Sequence, residues 1–303
     1  MRIASSQFQA TMNRGLEANQ AAISKLTEQM STGDKILVPS DDPVTSVRLS
    51  RLTREQAIVT QYRSNISAVK VRLSNSETYL TGMVNDIQQT SDNLVWASDG
   101  GNASADLNAM GPPMAALQQS LFYAANEKDQ EGHYIFSGTL TNTPAITYDA
   151  TAPLGSRYTY TGNTGTEQVT VGNGVTQAAN VNIQGLDTYL NQLDVAIDQL
   201  NQPGVVTGSP PLQAALKTAL DGSSTALNLV SGRIADLGGS QNIMTTLDNN
   251  HANVSLANET AITDLGQLDY GQAATSMNGY QLALQASYKS YAMVSGLSLF
   301  NAL

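Results

Sequence analysis

The sequence predicts a mainly α chain: an elongated antiparallel long-helix bundle or coiled coil formed by both chain ends, with a small inserted β domain at its tip. Three observations predict it. Leu52, Val59, Ile66, Leu73, Leu80, Ile87 and Leu94 recur every seven residues, the repeat of a long helix in a left-handed supercoil. Apolar stripes at spacings of three and four mark both ends of the chain, as in helices that share a seam. Between residues 132 and 185 the period falls to two, in short runs of β-branched and aromatic residues bounded by Gly and Asn, the pattern of small strands.

The first stripe is Met12, Leu16, Asn19, Ile23, Leu26 and Met30, with Phe8 just upstream. Ser6 and Gln9 form the S-x-x-Q pattern of a helix start, and Gly33 suits a helix end. A helix is predicted over 7–32, about 39 Å long. "KILVP" then runs extended. In "SDDP" (Ser40, Asp41, Asp42, Pro43), Pro43 fits the first helical position, where its missing amide costs nothing, and Asp42 fits the cap before it.

The long helix is predicted over 43–98, roughly 84 Å. Tyr62, Val69, Met83 and Ala97 fill most positions three residues after its heptad row, and "DGGNAS" ends it. A further helix holds Met114, Leu117, Leu121 and Ala124. Gly111-Pro112-Pro113 stands at its start, or kinks it if it begins earlier.

Strand character begins at Gly132 with "GHYIFSG" and continues through "AITY", "YTYTG", "EQVTVGNG" and "ANVNIQG". Tyr158 alternates with Tyr160, Val169 with Val171, and Val181 with Ile183. "GNTG" (162–165) reads as a hairpin loop. Helical spacing resumes at Leu186 with Leu190, Leu193, Ala196, Ile197 and Leu200. After "NQPGVVTGSPP" a helix starts near Leu212. Gly232, Gly238 and Gly239 interrupt it without ending its apolar spacing. The last stripe carries Tyr270, Ala273, Met277, Tyr280, Leu284, Tyr288, Tyr291 and Val294.

The order is symmetrical about its middle, so the two ends should meet as an antiparallel pair. Five segments follow: 1–42 and 261–303 as halves of a terminal coiled-coil domain, 43–131 and 186–260 as halves of a long-helix rod, and 132–185 as the β insertion.

Composition narrows the function. The net charge is −10 and charged residues are 13% of the 303, about half the usual share. No cluster of Lys and Arg suits a nucleic-acid backbone. There is no cysteine, so disulfides and thiolate metal sites are excluded. No run approaches the roughly 18 apolar residues of a membrane helix. "MRIASSQFQATMNRG" lacks the apolar stretch of a Sec-type signal peptide.

Chemistry is sparse. His133 and His251 lie far apart in sequence; His133 reads as a strand-edge residue and His251 as a solvated helix residue. Asp41 and Asp42 could pair for acid–base work, but capping explains both the acids and Pro43. No G-x-S-x-G, H-E-x-x-H, P-loop or G-x-G-x-x-G pattern occurs. "DGGNASAD" lacks calcium-loop spacing. No catalytic residue, metal or cofactor is expected.

The chain instead ends on apolar residues, "LSLFNAL". Burying Leu297, Leu299, Phe300 and Leu303 would yield about 6–12 kcal/mol. Ordering seven residues costs roughly 7–14 kcal/mol. Two paired helices bury only one face each, and Leu282, Met293, Leu297, Leu299 and Phe300 fall off that seam, so the end becomes worthwhile only among several neighbours. The expected assembly interface is therefore Phe8, Met12, Leu16, Ile23, Leu26 and Met30 with Tyr280, Leu284, Tyr288, Tyr291, Val294, Leu297, Leu299, Phe300 and Leu303. Ser40 to Pro43 form the structural turn.

The whole chain resembles the flagellin-like axial proteins of bacterial flagella, and among them those of the hook–filament junction. "STGDKILVPSDDP" (31–43) resembles the family's turn between its first two helices. "GHYIFSGTLTNTP" (132–144) and "YTYTGN" (158–163) are similar to its β-domain entry and signature. "GRIADLGGSQNIM" (232–244), "AITDLGQLDYGQAATSM" (261–277) and "LSLFNAL" resemble its returning helices and C-terminus. The resemblance implies a structural, non-enzymatic subunit that adapts hook to filament and serves as a platform for flagellin assembly. It implies export through the flagellar type III apparatus without a cleaved signal, to an extracellular place on the flagellum. The implied partners are copies of itself in a ring or helical array, a companion junction protein on the hook side, flagellin on the filament side, and an export chaperone on the C-terminal helix. No nucleic acid or membrane is expected. The alternatives are a flagellin-type filament subunit, although the Leu-Leu-Arg-like tail is missing, and, in a different class, a secreted coiled-coil adhesin or effector.

Overall fold

The computed structural model describes the backbone of residues 2–300 and the side chains of residues 7–293. Helices α1 (Arg2–Thr32), α2 (Pro43–Ala97) and α3 (Ser104–Ala125) precede strands β1 (Ile146–Tyr148), β2 (Tyr158–Tyr160), β3 (Gln168–Gly172) and β4 (Val175–Ala178). Helices α4 (Leu186–Leu200), α5 (Pro210–Gly266) and α6 (Tyr270–Phe300) follow. The predicted class, mainly α with a small β insertion, is the one observed. Two compact units divide the chain: one of 1–59 and 253–303, the other of 60–252.

The central unit, 60–252, holds the continuous apolar core. Ile66, Leu73, Leu80, Ile87 and Leu94 of the α2 repeat are all buried there, with Val69, Met83 and Ala97 beside them. Two gaps in the second row, Ser76 and Thr90, are buried as well. Each hydroxyl donates to a carbonyl one turn back, Ser76 to Arg72 at 3.0 Å and Thr90 to Asp86 at 2.7 Å. A buried hydroxyl paired in this way adds little penalty. In this unit α5 runs antiparallel to α2: Arg63 meets Asp248, Lys70 meets Thr245 and Glu77 meets Gln241. Helices α3 and α4 are likewise antiparallel, through Gln118 to the Leu190 carbonyl at 2.9 Å and Asn108 to that of Leu200 at 2.5 Å.

Two helices continue where glycine and proline suggested breaks. α3 runs through Gly111-Pro112-Pro113 from a start at Ser104. Both prolines face solvent, while Gly111 is buried. A Cβ on Gly111 would stand 2.0 Å from Asn201 Oδ1, so the glycine admits the end of α4. α5 runs unbroken through Gly232, Gly238 and Gly239, where packing outweighs their poor helix propensity.

The β segment also departs from its prediction. β1 pairs with β2 in register Ile146↔Tyr160 and Tyr148↔Tyr158. β3 pairs with β4 across Asn173-Gly174, with a bulge between Thr170 and Gly172. "GHYIFSG" and "ANVNIQG" form no strand; a single bridge, Ser137↔Asn182, joins them, and Tyr134 bridges back to Lys128. "GNTG" is not a hairpin loop. Asn163 accepts the Thr139 amide at 2.9 Å, and its own amide donates to Ser137 at 3.1 Å, so this loop knits against 137–139. Side-chain amides guard both edges of the β1–β2 hairpin. Asn126 bonds the Ile146 N–H and C=O, at 3.0 and 2.8 Å, and Asn191 those of Tyr158, at 2.9 and 2.7 Å. They satisfy edge groups that would otherwise template another strand.

The mounting of the β segment is seen within the central unit. β3 lies beside α2 and α5. Asn65 of α2 donates to the Thr170 carbonyl at 2.8 Å, Arg72 pairs with Glu167 at 2.7 Å, and His251 Nε2 of α5 reaches the Val171 carbonyl at 2.8 Å. His251 is thus not a solvated helix residue; its ring also lies 5.4 Å from that of Tyr62. His133 sits in the tight turn after α3 rather than on a strand edge, its amide donating to Asp129.

Candidate assembly site at the joined chain ends

In the other unit, α1 and α6 pack against each other. The chain is fastened where α1 ends and α6 begins. Gly33 adopts φ +82°, in the left-handed region, and its amide closes the last turn of α1 on Gln29 at 2.8 Å. Its carbonyl accepts the Leu268 amide at 2.9 Å, and the Lys35 amide donates to Gly266 at 2.7 Å. These bonds flank a bridge between Asp34 and Gln267. The Tyr270 hydroxyl donates to the Met30 carbonyl at 3.1 Å, satisfying one of the carbonyls that a helix end leaves free. The linked points lie at the C-terminal end of α1 and the N-terminal start of α6, so the two helices run antiparallel, as predicted.

The turn from α1 to α2 is built on two carboxylates. Asp41 Oδ1 takes the Lys25 ammonium at 2.5 Å, and its Oδ2 accepts the amides of Leu37 and Val38 at 3.3 and 3.4 Å. Asp42 caps α2: Oδ1 accepts the Thr45 amide at 3.0 Å and Oδ2 the Thr45 hydroxyl at 2.6 Å. The hydrogen bond from Lys25 holds Asp41 below the usual carboxylate range, and those from Thr45 do the same for Asp42. Ser40 and Pro43 are exposed beside them.

The stripe residues form no sealed core. Met12, Leu16, Ile23, Leu26, Met30 and Leu284 are only half-buried. Phe8 is 40% exposed, Tyr280 38%, Tyr288 51% and Tyr291 37%. Off the seam, Leu282 is 68% and Met293 63% exposed. Val294, Leu297, Leu299, Phe300 and Leu303 lie outside the described residues. In this unit only Val59, Ser255, Asn258 and Ala273 are buried among the described residues.

Sequence reasoning missed the fasteners. Tyr270 read as a stripe residue, and Lys25 carried no reading at all. Tyr270 bonds the carbonyl of Met30, 240 residues away, and Lys25 the carboxylate of Asp41, 16 residues away, and no spacing rule carries such a signal.

One further side-chain group could hold a cation: Asp129, Glu131 and His133, whose ligand atoms lie within 4.8 Å of one another. Asp129 Oδ1 already accepts the amides of Glu131 and His133, both at 2.9 Å, and shaping this turn accounts for it. No described helix is long and apolar enough to cross a membrane.

Comparison with known proteins gives a consistent picture. The profile of the bacterial flagellin N-terminal helical region matches residues 3–141. The flagellar hook-associated protein 3 of Escherichia coli is 30% identical over 99% of both chains, and that of Salmonella typhimurium 28% identical over the same shares. Among solved structures, one described as a flagellar hook-associated protein of Vibrio parahaemolyticus is 30% identical. It covers 75% of this chain and 100% of its own, with a TM-score of 0.68. The hook-associated protein 3 of Legionella pneumophila shares the fold at 14% identity, covering 71% of this chain and 99% of its own, with a TM-score of 0.61.

Proposed function

Because this chain belongs to the family of flagellar hook-associated protein 3, we propose that it is the structural subunit that joins hook to filament in the bacterial flagellum. The observation that carries the reading is the state of the chain ends. Two long helices are fastened antiparallel, yet their apolar stripes stay half-exposed. Such a surface gains from burial by further helices.

In this reading the interface comprises Phe8, Met12, Leu16, Ile23, Leu26 and Met30 of α1 with Tyr280, Leu284, Tyr288 and Tyr291 of α6, continued by Val294, Leu297, Leu299, Phe300 and Leu303. Copies of the chain occupy it in a ring or helical array. The companion junction protein lies on the hook side and flagellin on the filament side. The subunit reaches its extracellular place through the flagellar type III route, with an export chaperone on its C-terminal helix. Its role is mechanical, not enzymatic. The five segments set out above, 1–42, 43–131, 132–185, 186–260 and 261–303, serve as terminal, rod and insertion parts.

Electron microscopy of a deletion strain tests the reading. Hooks without filaments, with flagellin lost to the medium, are expected; normal filaments would overturn it. Removing residues 294–303 should leave the central unit folded and abolish filament attachment. Attachment by that truncated chain would dismiss the terminal segment as interface.

A further inference from the structure

Charge is distributed unevenly. Residues 60–252 hold 16 acidic and 7 basic side chains, and the remainder of the chain holds 9 and 8. Nearly all the net negative charge, −9 of −10, therefore sits in the central unit. The division is sharper along the chain. Residues 43–72 contain six basic residues and one acid, whereas 73–127 contain six acids and no Lys, Arg or His.

Half of that basic set is already engaged: Arg63 with Asp248, Lys70 with Thr245 and Arg72 with Glu167. The other half is not. Arg48, Arg51 and Arg54 recur every third residue, so they form one stripe on α2. All three are exposed, and none makes an ion pair among the described residues. In the acidic stretch, Asp92, Asp99 and Asp106 are exposed and face no cation either. Asp99 and Asp106 do no more than accept nearby amides, from Gly101 and Ala103. Among the described residues, the chain thus carries a cationic stripe and an anionic stretch that make no ion pair.

We propose that Arg48, Arg51 and Arg54 form a docking surface for the acidic stretch Asp92–Asp106 of a second copy of this chain. The second copy is favoured because the complementary charge is on the page, in this same sequence. The two surfaces differ, so the contact is heterologous, head to tail, and repeats into a ring or open helical array. Charge pairing of this kind sets register and rejects wrong partners more than it adds raw affinity. It would index neighbouring copies whose apolar stripes alone tolerate sliding. The inference rests on the assembling role proposed above.

Full-length chains in a strain lacking the native gene provide the test, with export level and helical circular dichroism as controls. The readout is the amount of chain retained on isolated hooks. Arg48→Glu with Arg51→Glu and Arg54→Glu should lower retention at least about tenfold, since like charges face each other across the contact. Asp92→Lys with Asp99→Lys and Asp106→Lys should do the same. Both sets combined in one chain should restore retention to within about threefold of the parent, because reversed charges pair again.

Retention at the parental level by either reversed set overturns the proposal. So does a combined chain that stays as low as the single sets. Loss with the arginine set alone would assign the stripe to another flagellar component and overturn the second copy as occupant. If a reversed set lowers helicity, the neutral set Arg48→Gln, Arg51→Gln and Arg54→Gln decides: several-fold lower retention is expected, and unchanged retention overturns the idea. A parental chain that never appears on hooks would overturn the junction reading itself.

Discussion

Leu80 and Leu16 are the same side chain on the same kind of apolar stripe. Leu80, on α2, is fully shielded. Leu16, on α1, stays half-exposed. Local pattern does not separate them; the number of neighbours does. In the central unit, α2 lies among α3, α4, α5 and the β segment around one core. In the other unit, the described packing partner of α1 is α6, and two helices share only one seam. A heptad stripe therefore states that a helix face wants burial. It does not state whether that burial is completed within the chain or by other subunits.

The strongest way to break this comparison is to truncate both leucines. Leu80→Ala should cost about 2–5 kcal/mol, the range for deleting a buried leucine, and lower the melting temperature of the monomer. Leu16→Ala should cost the monomer less than about 1 kcal/mol and show its effect in assembly instead. Equal shifts in a calorimetric scan would erase the distinction between the units.

Gly138→Ala probes the knit β segment. Gly138 has φ +71°, and an added Cβ would stand 2.2 Å from the Asn163 carbonyl oxygen. Strain plus backbone displacement should cost about 2–3 kcal/mol, read by chemical denaturation of the intact protein. A near-neutral result would mean that the two loops are free to separate.

The two ends of the pH scale should also probe different contacts. Burial pushes Tyr158, Tyr160 and Tyr189 up to about 12. Their phenols favour the folded central unit fully below the unfolded value near 10, and that contribution disappears as pH rises through about 12. The carboxyls of Asp41 and Asp42 are depressed. Their contribution is complete above the ordinary value of 3.8 and disappears as pH falls below it. Protection factors at Leu37, Val38 and Thr45 should therefore fall in acid, as at Thr151 beside the likewise depressed Asp149, while the helical core of the central unit stays protected. Simultaneous acid loss in both would refute the contrast. The smallest effect is that of Asp42→Ala, the loss of a cap, confined to lower protection in the first turns of α2.

Much of this fold was legible because its long helices obey simple periods. The α2 repeat and the antiparallel meeting of α1 and α6 came directly from spacing and punctuation. The misreadings came where a neighbour supplied what the local sequence lacked. Gly111-Pro112-Pro113 looked like a break because its reason, the approach of Asn201, is ninety residues away. "GNTG" looked like a hairpin because its partner, Thr139, lies outside any strand pattern. Ser76 and Thr90 looked like gaps because their hydroxyls are satisfied within their own helix. At the chain ends the apolar stripes were visible, but not the fastening by Tyr270 and Lys25. The arginine stripe was overlooked as well, since three charges spaced by three make no run.

The docking of β3 has a consequence for what this protein can become. Asn65 and His251 hold the strand by the carbonyls of Thr170 and Val171, groups that every residue possesses. The helices thus grip backbone at Thr170 and Val171, while the Val171 side chain is buried in the core and Glu167 pairs with Arg72. Outward-facing side chains on that strand are free to diverge without loosening the mount. Exposed positions such as Gln168 and Thr170 can therefore change the surface of the insertion without touching the bonds that mount it.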